Sequence, residues 1–306
     1  MTEPAVSVVI PTIDRVGLLE RCLEGLETDQ GVPFEVIVVH DGDPTMGALL
    51  ERWMDRLPSL RPVRISERGA CAKRNAGWRS ARADVIAFTD DDCQPAPGWL
   101  GAALAAMAPD VDLVQGKVLP HPADTGVTGV FARTITIDGP SYDFPNANLV
   151  YRRSALERVD GYDDAEFWGA GEDADMAWRV LESGGRFVYA DDALVWHAVR
   201  AATFTQHVRS LPRWANLALL VRRHPQHRDH FYSLLFWKRT HTTSLLAVAG
   251  LAGAVVDRRL LVLVAPHFVR RIREQGKRRG IQLAAADIAE TVVMLAGSVR
   301  YRSPLL

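Results

Sequence analysis

The chain has 306 residues, of which 48% are hydrophobic and 24% charged, with a formal net charge of -1. That is room for one large domain, or one domain with a helical extension, and so small a net charge by itself implies no charged partner. The three cysteines, Cys22, Cys71 and Cys93, include no CxxC pair; this argues against a disulfide framework and a structural zinc site and fits a reducing cytoplasm.

Met1-Thr-Glu-Pro4 has neither a basic start nor an apolar stretch after it, so no signal peptide is expected. Val6–Ile10 is a β-branched run stopped by Pro11 and reads as a buried strand. Gly17–Glu27 carries apolar residues at helical spacing. Phe34–Val39 is a second strand, closed by His40-Asp-Gly-Asp43. Met46–Leu57 is helical in period, Val63–Ile65 a short strand, and Ala70–Ala83 a helix. Asp84–Thr89 is a further strand that runs directly into Asp90-Asp-Asp92, and Gly98–Met107 is helical. Residues 120–147 read as loop. Order resumes at 148–158, Glu172–Ser183 is an amphipathic helix, and Phe187–Tyr189 and Ala193–Trp196 are short strands followed by His197.

Strands alternating with helices at this pace predict β-α-β units and a mostly parallel central sheet. Ligands of such sheets sit beyond the carboxyl ends of the strands. Three of those ends are polar here: Pro11-Thr12, His40-Asp41 and Asp90–Asp92.

Three adjacent carboxylates repel one another unless a cation sits among them, and hard Mg²⁺ or Mn²⁺ ions favour oxygen ligands shared with substrate phosphates. The plain alternative is a solvated acidic turn. Glu172-Asp173-Ala-Asp175 at a helix start is equally well explained by the helix dipole or by a general base facing an acceptor hydroxyl. His197 alone is an ordinary histidine; beside a carboxylate metal site it becomes a ligand candidate. His40-Asp-Gly-Asp43 is either a simple turn or a place where Asp41 accepts a hydrogen bond from a base.

Taken in order, Val6–Thr12, Val39–Asp43, Lys73-Arg-Asn-Ala-Gly77, Phe88–Asp92, Gly171-Glu-Asp173 and Trp196-His197 resemble glycosyltransferase family 2 over roughly residues 5–200. The resemblance implies an α/β GT-A fold and transfer of a sugar from a nucleotide-diphosphate sugar (UDP-, GDP- or dTDP-linked) with inversion. It implies that Pro11 and Thr12 line the nucleotide pocket, with Asn75 also at the donor. Asp41 is then at the base and Asp91 near the ribose. Asp90 and Asp92 form the DxD pair, with Asp92 the direct ligand of Mn²⁺ or Mg²⁺ and His197 a further ligand. Asp173 is the implied base with Glu172 beside it, and Asn148, Trp168 and Trp196 border the acceptor. The sequence departs from the family at His40, where an acidic residue is usual, and at Ile13-Asp14, which stand in place of Tyr-Asn. The rival readings are a sugar nucleotidyltransferase and a non-catalytic sugar-nucleotide-binding protein. The former usually has a Gly-rich basic loop where Pro11-Thr-Ile-Asp14 stands.

Residues 1–199 hold 18 Lys/Arg against 32 Asp/Glu, whereas residues 200–306 hold 18 against 5. The expected division is therefore a catalytic domain over 1–200 and a basic helical region over 201–306. Its uncharged run Thr243–Val256 is too short to cross a bilayer. Extending that run brings in Asp257, Arg258 and Arg259 at about 2.5–3.5 kcal/mol each. Basic pairs interleaved with Trp214, Phe231, Phe236 and Trp237 suggest either a solvated helical bundle or a surface on an anionic membrane. The latter would make a cytoplasmic protein peripheral on the inner face of the cell membrane, with a glycan, lipid-linked or secondary-metabolite acceptor. No nucleic-acid module is present.

Overall fold

The computed structural model describes residues 3–13, 15–29, 31–67, 69–167 and 169–305. The chain divides into two compact units, residues 1–126 with 134–200, and residues 127–133 with 201–306.

The first unit is built on an eight-stranded sheet. Its strands are β1 (Val6–Pro11), β2 (Phe34–His40), β3 (Leu60–Arg64), β4 (Val85–Phe88), β5 (Cys93–Pro95), β6 (Leu113–Pro120), β7 (Leu149–Arg152) and β8 (Phe187–His197). They lie in the order β3-β2-β1-β4-β7-β6-β8-β5. β1, β2, β3 and β4 are parallel neighbours, as are β6 and β8, while β7 and β5 run antiparallel to the strands they pair with. This is the α/β, mixed but mostly parallel sheet that the strand–helix alternation predicts. The helices are α1 (Val16–Thr28), α2 (Pro44–Arg56), α3 (Ala70–Ser80), α4 (Trp99–Ala106), α5 (Arg153–Arg158) and α6 (Glu172–Glu182). β1, β2 and β4 are buried along nearly their whole length, as strands covered on both faces are.

Two differences from the sequence reading have clear causes. β6 was not expected because Gln115 and Gly116 interrupt its apolar run. Gln115 is nevertheless buried, with its amide satisfied by the backbone of Ser141 at 2.8 and 3.0 Å. A Cβ on Gly116 would lie 2.2 Å from the Asn148 amide nitrogen and 2.4 Å from the Ala193 carbonyl oxygen, so the position admits only glycine. The second difference is β8, one strand where two were expected. A register shift at Gly116/Lys117 lets it pass through Asp191-Asp192, and Lys117 pairs with Asp191 at 2.8 Å there.

The second unit is helical: α7 (Phe204–Ser210), α8 (Leu217–Arg223), α9 (His241–Gly253), α10 (Ala265–Gln275) and α11 (Lys277–Tyr301), with short 3-10 turns between. α11 has 25 residues and is long and apolar enough, by length and composition, to cross a membrane. Its inner face nevertheless carries Glu290 and Asp287, which pair with Lys238 at 2.7 Å and with Arg271 at 2.8 Å. The aromatic residues offered as a surface are mostly engaged within the unit: Trp214 and Trp237 approach to 4.8 Å, and Phe231 is buried against His227.

Candidate active site

The order β2-β1-β4 places the carboxyl ends of three parallel strands side by side, so residues 11–12, 40–41 and 90–92 meet at one edge of the sheet. α3 packs down on β1 and β2 because Gly77 has no side chain. A Cβ there would stand 2.3 Å from Val9 Cγ1 and 3.2 Å from Val39 Cγ2. This approach carries two cations, Lys73 and Arg74, into the edge, both buried. Lys73 Nζ donates to the Thr12 carbonyl at 2.6 Å and lies 3.3 Å from Asp41. Burial pushes the Asp41 pKa up, but hydrogen bonds from its own backbone amide and from Lys73 outweigh this and hold the carboxyl below its usual range. Asp43, two residues on, caps α2 by accepting from the Thr45 and Met46 amides at 2.9 and 3.0 Å.

The three aspartates have different surroundings. Arg74 donates to Asp90 at 2.7 Å. Asp91 is fully buried and accepts from Thr12 Oγ1 at 2.7 Å and Arg15 Nε at 3.2 Å. Burial raises Asp91 to about 6, against the pull of Arg15 and the Thr12 hydroxyl. One oxygen of Asp92, Oδ2, faces Arg15 at 2.8 Å and Arg200 at 3.3 Å. Its other oxygen, Oδ1, lies 3.6 Å from His197 Nε2.

The ring of His197 is oriented by its other nitrogen. Nδ1 sits 2.8 Å from the Ala198 carbonyl, which can only accept, so Nδ1 carries the proton. In the neutral ring Nε2 then presents a lone pair to Asp92 Oδ1. Thr134 Oγ1, 3.2 Å from Nδ1 and 3.3 Å from the His197 carbonyl, braces the same segment. A carboxylate oxygen and an imidazole lone pair converging on one space suit a divalent cation, which commonly takes only one or two protein ligands and completes its shell with phosphate and water oxygens. The Cys93 thiol is within 4.8 Å of both. Burial pushes its pKa well up, with Asp90 and Asp92 adding to the shift, so it is a neutral thiol and a poor ligand for a hard ion.

Asp173 enters from α6. Gly171, at φ 90°, turns the chain into that helix. Asp173 accepts from the Asn146 backbone at 3.0 Å and the Asn146 side chain at 2.7 Å, and Arg74 lies at 3.8 Å from it and 3.9 Å from Glu172. Burial and the neighbouring Glu172 raise its pKa, to about 7, with Arg74 opposing. Arg74 therefore stands between Asp90 on one side and the Glu172-Asp173 pair on the other. Asp175 is separate: fully buried, it holds Arg179 at 2.8 Å.

The remaining expected residues have structural surroundings. Asn75 donates to the Tyr162 carbonyl at 2.8 Å and accepts from Tyr162 N at 2.9 Å and Trp78 Nε1 at 3.0 Å, fastening the 161–162 turn to α3. Asn148 is fully buried inside the sheet, bonded to Lys117, Ala193 and Trp99 at 2.7–2.9 Å. Trp196 is half-buried on β8, edge-on to His121. Pro11, paired with Val39, is buried at the end of β1. Trp168 lies outside the described residues. Sequence reasoning did not single out Arg15, Thr134 or Arg200 and gave no role to Lys73 or Arg74. Lys73 and Arg74 stood within a quoted motif; the others carried no signal beyond their residue type.

Residues 7–160 match the profile described as glycosyl transferase family 2, and residues 85–273 match glycosyl transferase family group 2. A pre-mycofactocin glycosyltransferase of Mycobacterium tuberculosis is 32% identical over 243 residues, covering 72% of this chain and 48% of that protein. The chain thus spans about half the length of that relative. In fold it is similar to PcManGT, a mannosyltransferase from Pyrobaculum calidifontis solved in complex with GDP-Man and Mn²⁺. That TM-score is 0.62 at 19% identity, over 99% of this chain and 88% of the other. It is also similar to S. aureus TarS 1-349 solved with UDP-GlcNAc, with a TM-score of 0.52 at 19% identity over 97% and 92%.

Proposed function

The chain belongs to glycosyl transferase family 2, and we propose that it transfers a sugar from a nucleoside-diphosphate donor to an acceptor hydroxyl in a single displacement that inverts the anomeric centre. The observation that carries this reading is the pairing of two unlike sites around one cation. Arg74 bridges Asp90, on the strand edge where a diphosphate would lie, and Asp173, a carboxylate poised to take a proton.

Asp92 and His197 would hold a divalent cation, Mn²⁺ or Mg²⁺, which when bound neutralises the diphosphate and so favours its departure. The lone pair that Ala198 leaves on His197 Nε2 is the feature that fits such an ion. PcManGT was solved with Mn²⁺ beside GDP-Man, which supports the same choice here. Asp41, Pro11 and Thr12 would receive the base and ribose, and Lys73 and Arg15 add positive charge beside the strand ends. Asp173 would accept the acceptor hydroxyl's proton as oxygen attacks the anomeric carbon. Its raised pKa makes it a stronger base than a solvated carboxylate while leaving it largely ionised above neutral pH. Glu172 adjoins it and supports the raised affinity for that proton. The acceptor is a hydroxyl of a glycan, a lipid-linked sugar or a secondary metabolite.

The test is calorimetry with UDP-, GDP- and dTDP-sugars in the presence of Mn²⁺, followed by NMR of the product made from the donor that binds. Inverted anomeric configuration is expected; retention would overturn the single displacement, and no binding to any nucleotide sugar would overturn the reading as a whole.

A further inference from the structure

The second unit carries an exposed aliphatic tip. α9 ends at Gly253, and the chain turns through 254–257 into the 3-10 segment Arg258–Val264 that leads to α10. Along this turn Val255 is 90% exposed, Val256 91% and Val262 70%, with Leu251, Leu260 and Leu261 exposed beside them. Scattered aliphatic side chains are ordinary on a surface, but a contiguous group on one turn marks an interaction site. The turn is closely built. A Cβ on Gly250 would meet the Leu260 carbonyl oxygen at 2.8 Å, and one on Gly253 would meet Leu260 Cδ1 at 2.5 Å. The two glycines let the 3-10 segment close onto α9, and that packing pins the hairpin from which the valines project.

Cations lie within and beside this apolar group. Arg258 and Arg259 are exposed in its middle, and neither has an ion-pair partner among the described residues. The outer face of α10 continues from Ala265 through Val269 to Arg273, each four residues apart and each exposed. The start of α11 adds exposed Lys277, Arg278 and Arg279. Arg270 and Arg271, by contrast, are held by Glu274 and Asp287 at 2.9 and 2.8 Å and belong to the internal framework.

We propose that this tip docks on an anionic lipid bilayer, with the valines and leucines entering the acyl boundary and Arg258 and Arg259 meeting lipid phosphates. Aliphatic side chains interspersed with Arg258 and Arg259, and flanked by exposed Arg273, Lys277, Arg278 and Arg279, offer both the apolar and the cationic partner that such a surface requires. A second copy of the chain fits less well. Its interface would place two arginines at the centre of an apolar contact, where charged residues are depleted.

The full chain is mixed with phosphatidylglycerol–phosphatidylcholine vesicles at low salt and sedimented. Co-sedimentation is expected, falling as salt rises. Val255→Asp with Val256→Asp should weaken binding about tenfold or more, as should Arg258→Glu with Arg259→Glu. These positions are exposed, and an unchanged circular dichroism spectrum verifies that the fold is kept. A second measurement uses Val256→Cys carrying an environment-sensitive dye, since Cys22, Cys71 and Cys93 are all buried. Its emission should shift to the blue on vesicles and be quenched by a quencher placed within the acyl layer. A wild-type chain that stays in the supernatant overturns the proposal. So does binding that survives the double aspartate change, a dye that reports no apolar environment, or a tip-dependent dimer that ignores vesicles.

Discussion

Asp173 differs from the other carboxylates of the cleft in what touches it. Asp90 has Arg74 at 2.7 Å and Asp91 has Arg15 and Thr12, whereas the closest donors to Asp173 are the two nitrogens of Asn146. Its guanidinium neighbour stands back at 3.8 Å and burial dominates, so it holds its proton to about 7. A base must be ionised to act, so turnover should rise with pH through that region and level above it. Asp173→Asn should lower kcat by about 10²–10⁴, flatten the pH profile and leave donor affinity within about threefold. Near wild-type kcat in that variant would move the base to Glu172. Asp92→Ala or His197→Ala should weaken Mn²⁺ binding by about tenfold or more, read by calorimetry without acceptor, and full turnover in excess EDTA would sink the metal assignment. At this scale the sequence was partly legible. An aspartate triplet at a strand end announces itself, because three adjacent carboxylates need cations or donors to offset their repulsion. The Nδ1 proton of His197 does not, because it depends on where the Ala198 carbonyl points. Nor could the sequence tell a pocket asparagine from one such as Asn148, whose three bonds lie inside the sheet.

Among elements, α3 shows how a packing residue sets a site. Gly77 brings the helix onto β1 and β2, and one turn earlier Lys73 and Arg74 reach Thr12 and Asp90. Alanine at an exposed helical glycine would gain about 1 kcal/mol. Here its Cβ meets Val9, and overpacking costs about 1–3 kcal/mol. Gly77→Ala should therefore be neutral to destabilising, and Gly77→Val plainly destabilising. Both should weaken donor binding as Lys73 and Arg74 are displaced, which urea midpoints and calorimetry would check; full donor affinity in Gly77→Val would disprove the positioning role. α11 offers a pH test. Burial alone would raise the Glu290 pKa, but the His241 hydrogen bond and Lys238 hold it at about 2, below the usual 4.5. A depressed carboxylate contributes stability above its unfolded pKa and loses it as pH falls from there toward about 2. Glu290→Gln should cost about 2 kcal/mol at neutral pH and little near pH 2–3, measured by urea unfolding at each pH. The strand–helix rhythm through β4 was legible because fully buried parallel strands are continuous apolar runs. β6 was not, because Gln115 and Gly116 are explained only by partners 26 to 77 residues away in sequence, Ser141, Asn148 and Ala193.

For the molecule as a whole, the sum of charge conceals its distribution. The acidic excess of residues 1–199 and the basic excess of 200–306 nearly cancel, and the isoelectric point is close to 6.8. Composition alone made that contrast visible. It could not show that residues 127–133 group with the second unit, because such a short stretch carries no compositional signature. Near neutral pH there is almost no net repulsion between copies, while unlike regions of different copies attract. At an ionic strength of about 0.01 M the screening length is about 30 Å, long enough for that attraction to act between molecules; at about 0.15 M it shrinks to about 8 Å. Light scattering at pH 7 should therefore show attraction and rising apparent mass with concentration in low salt, and near-ideal behaviour in moderate salt. Raising the pH to about 9 should act like salt by a different route, since histidines and other groups shed protons and the chain becomes net negative. Association through an apolar surface would respond to salt in the opposite sense, because added salt strengthens apolar contact as it screens charge. Association that fades with salt is therefore the outcome expected of the charge asymmetry, and self-association that grows with salt would overturn that prediction.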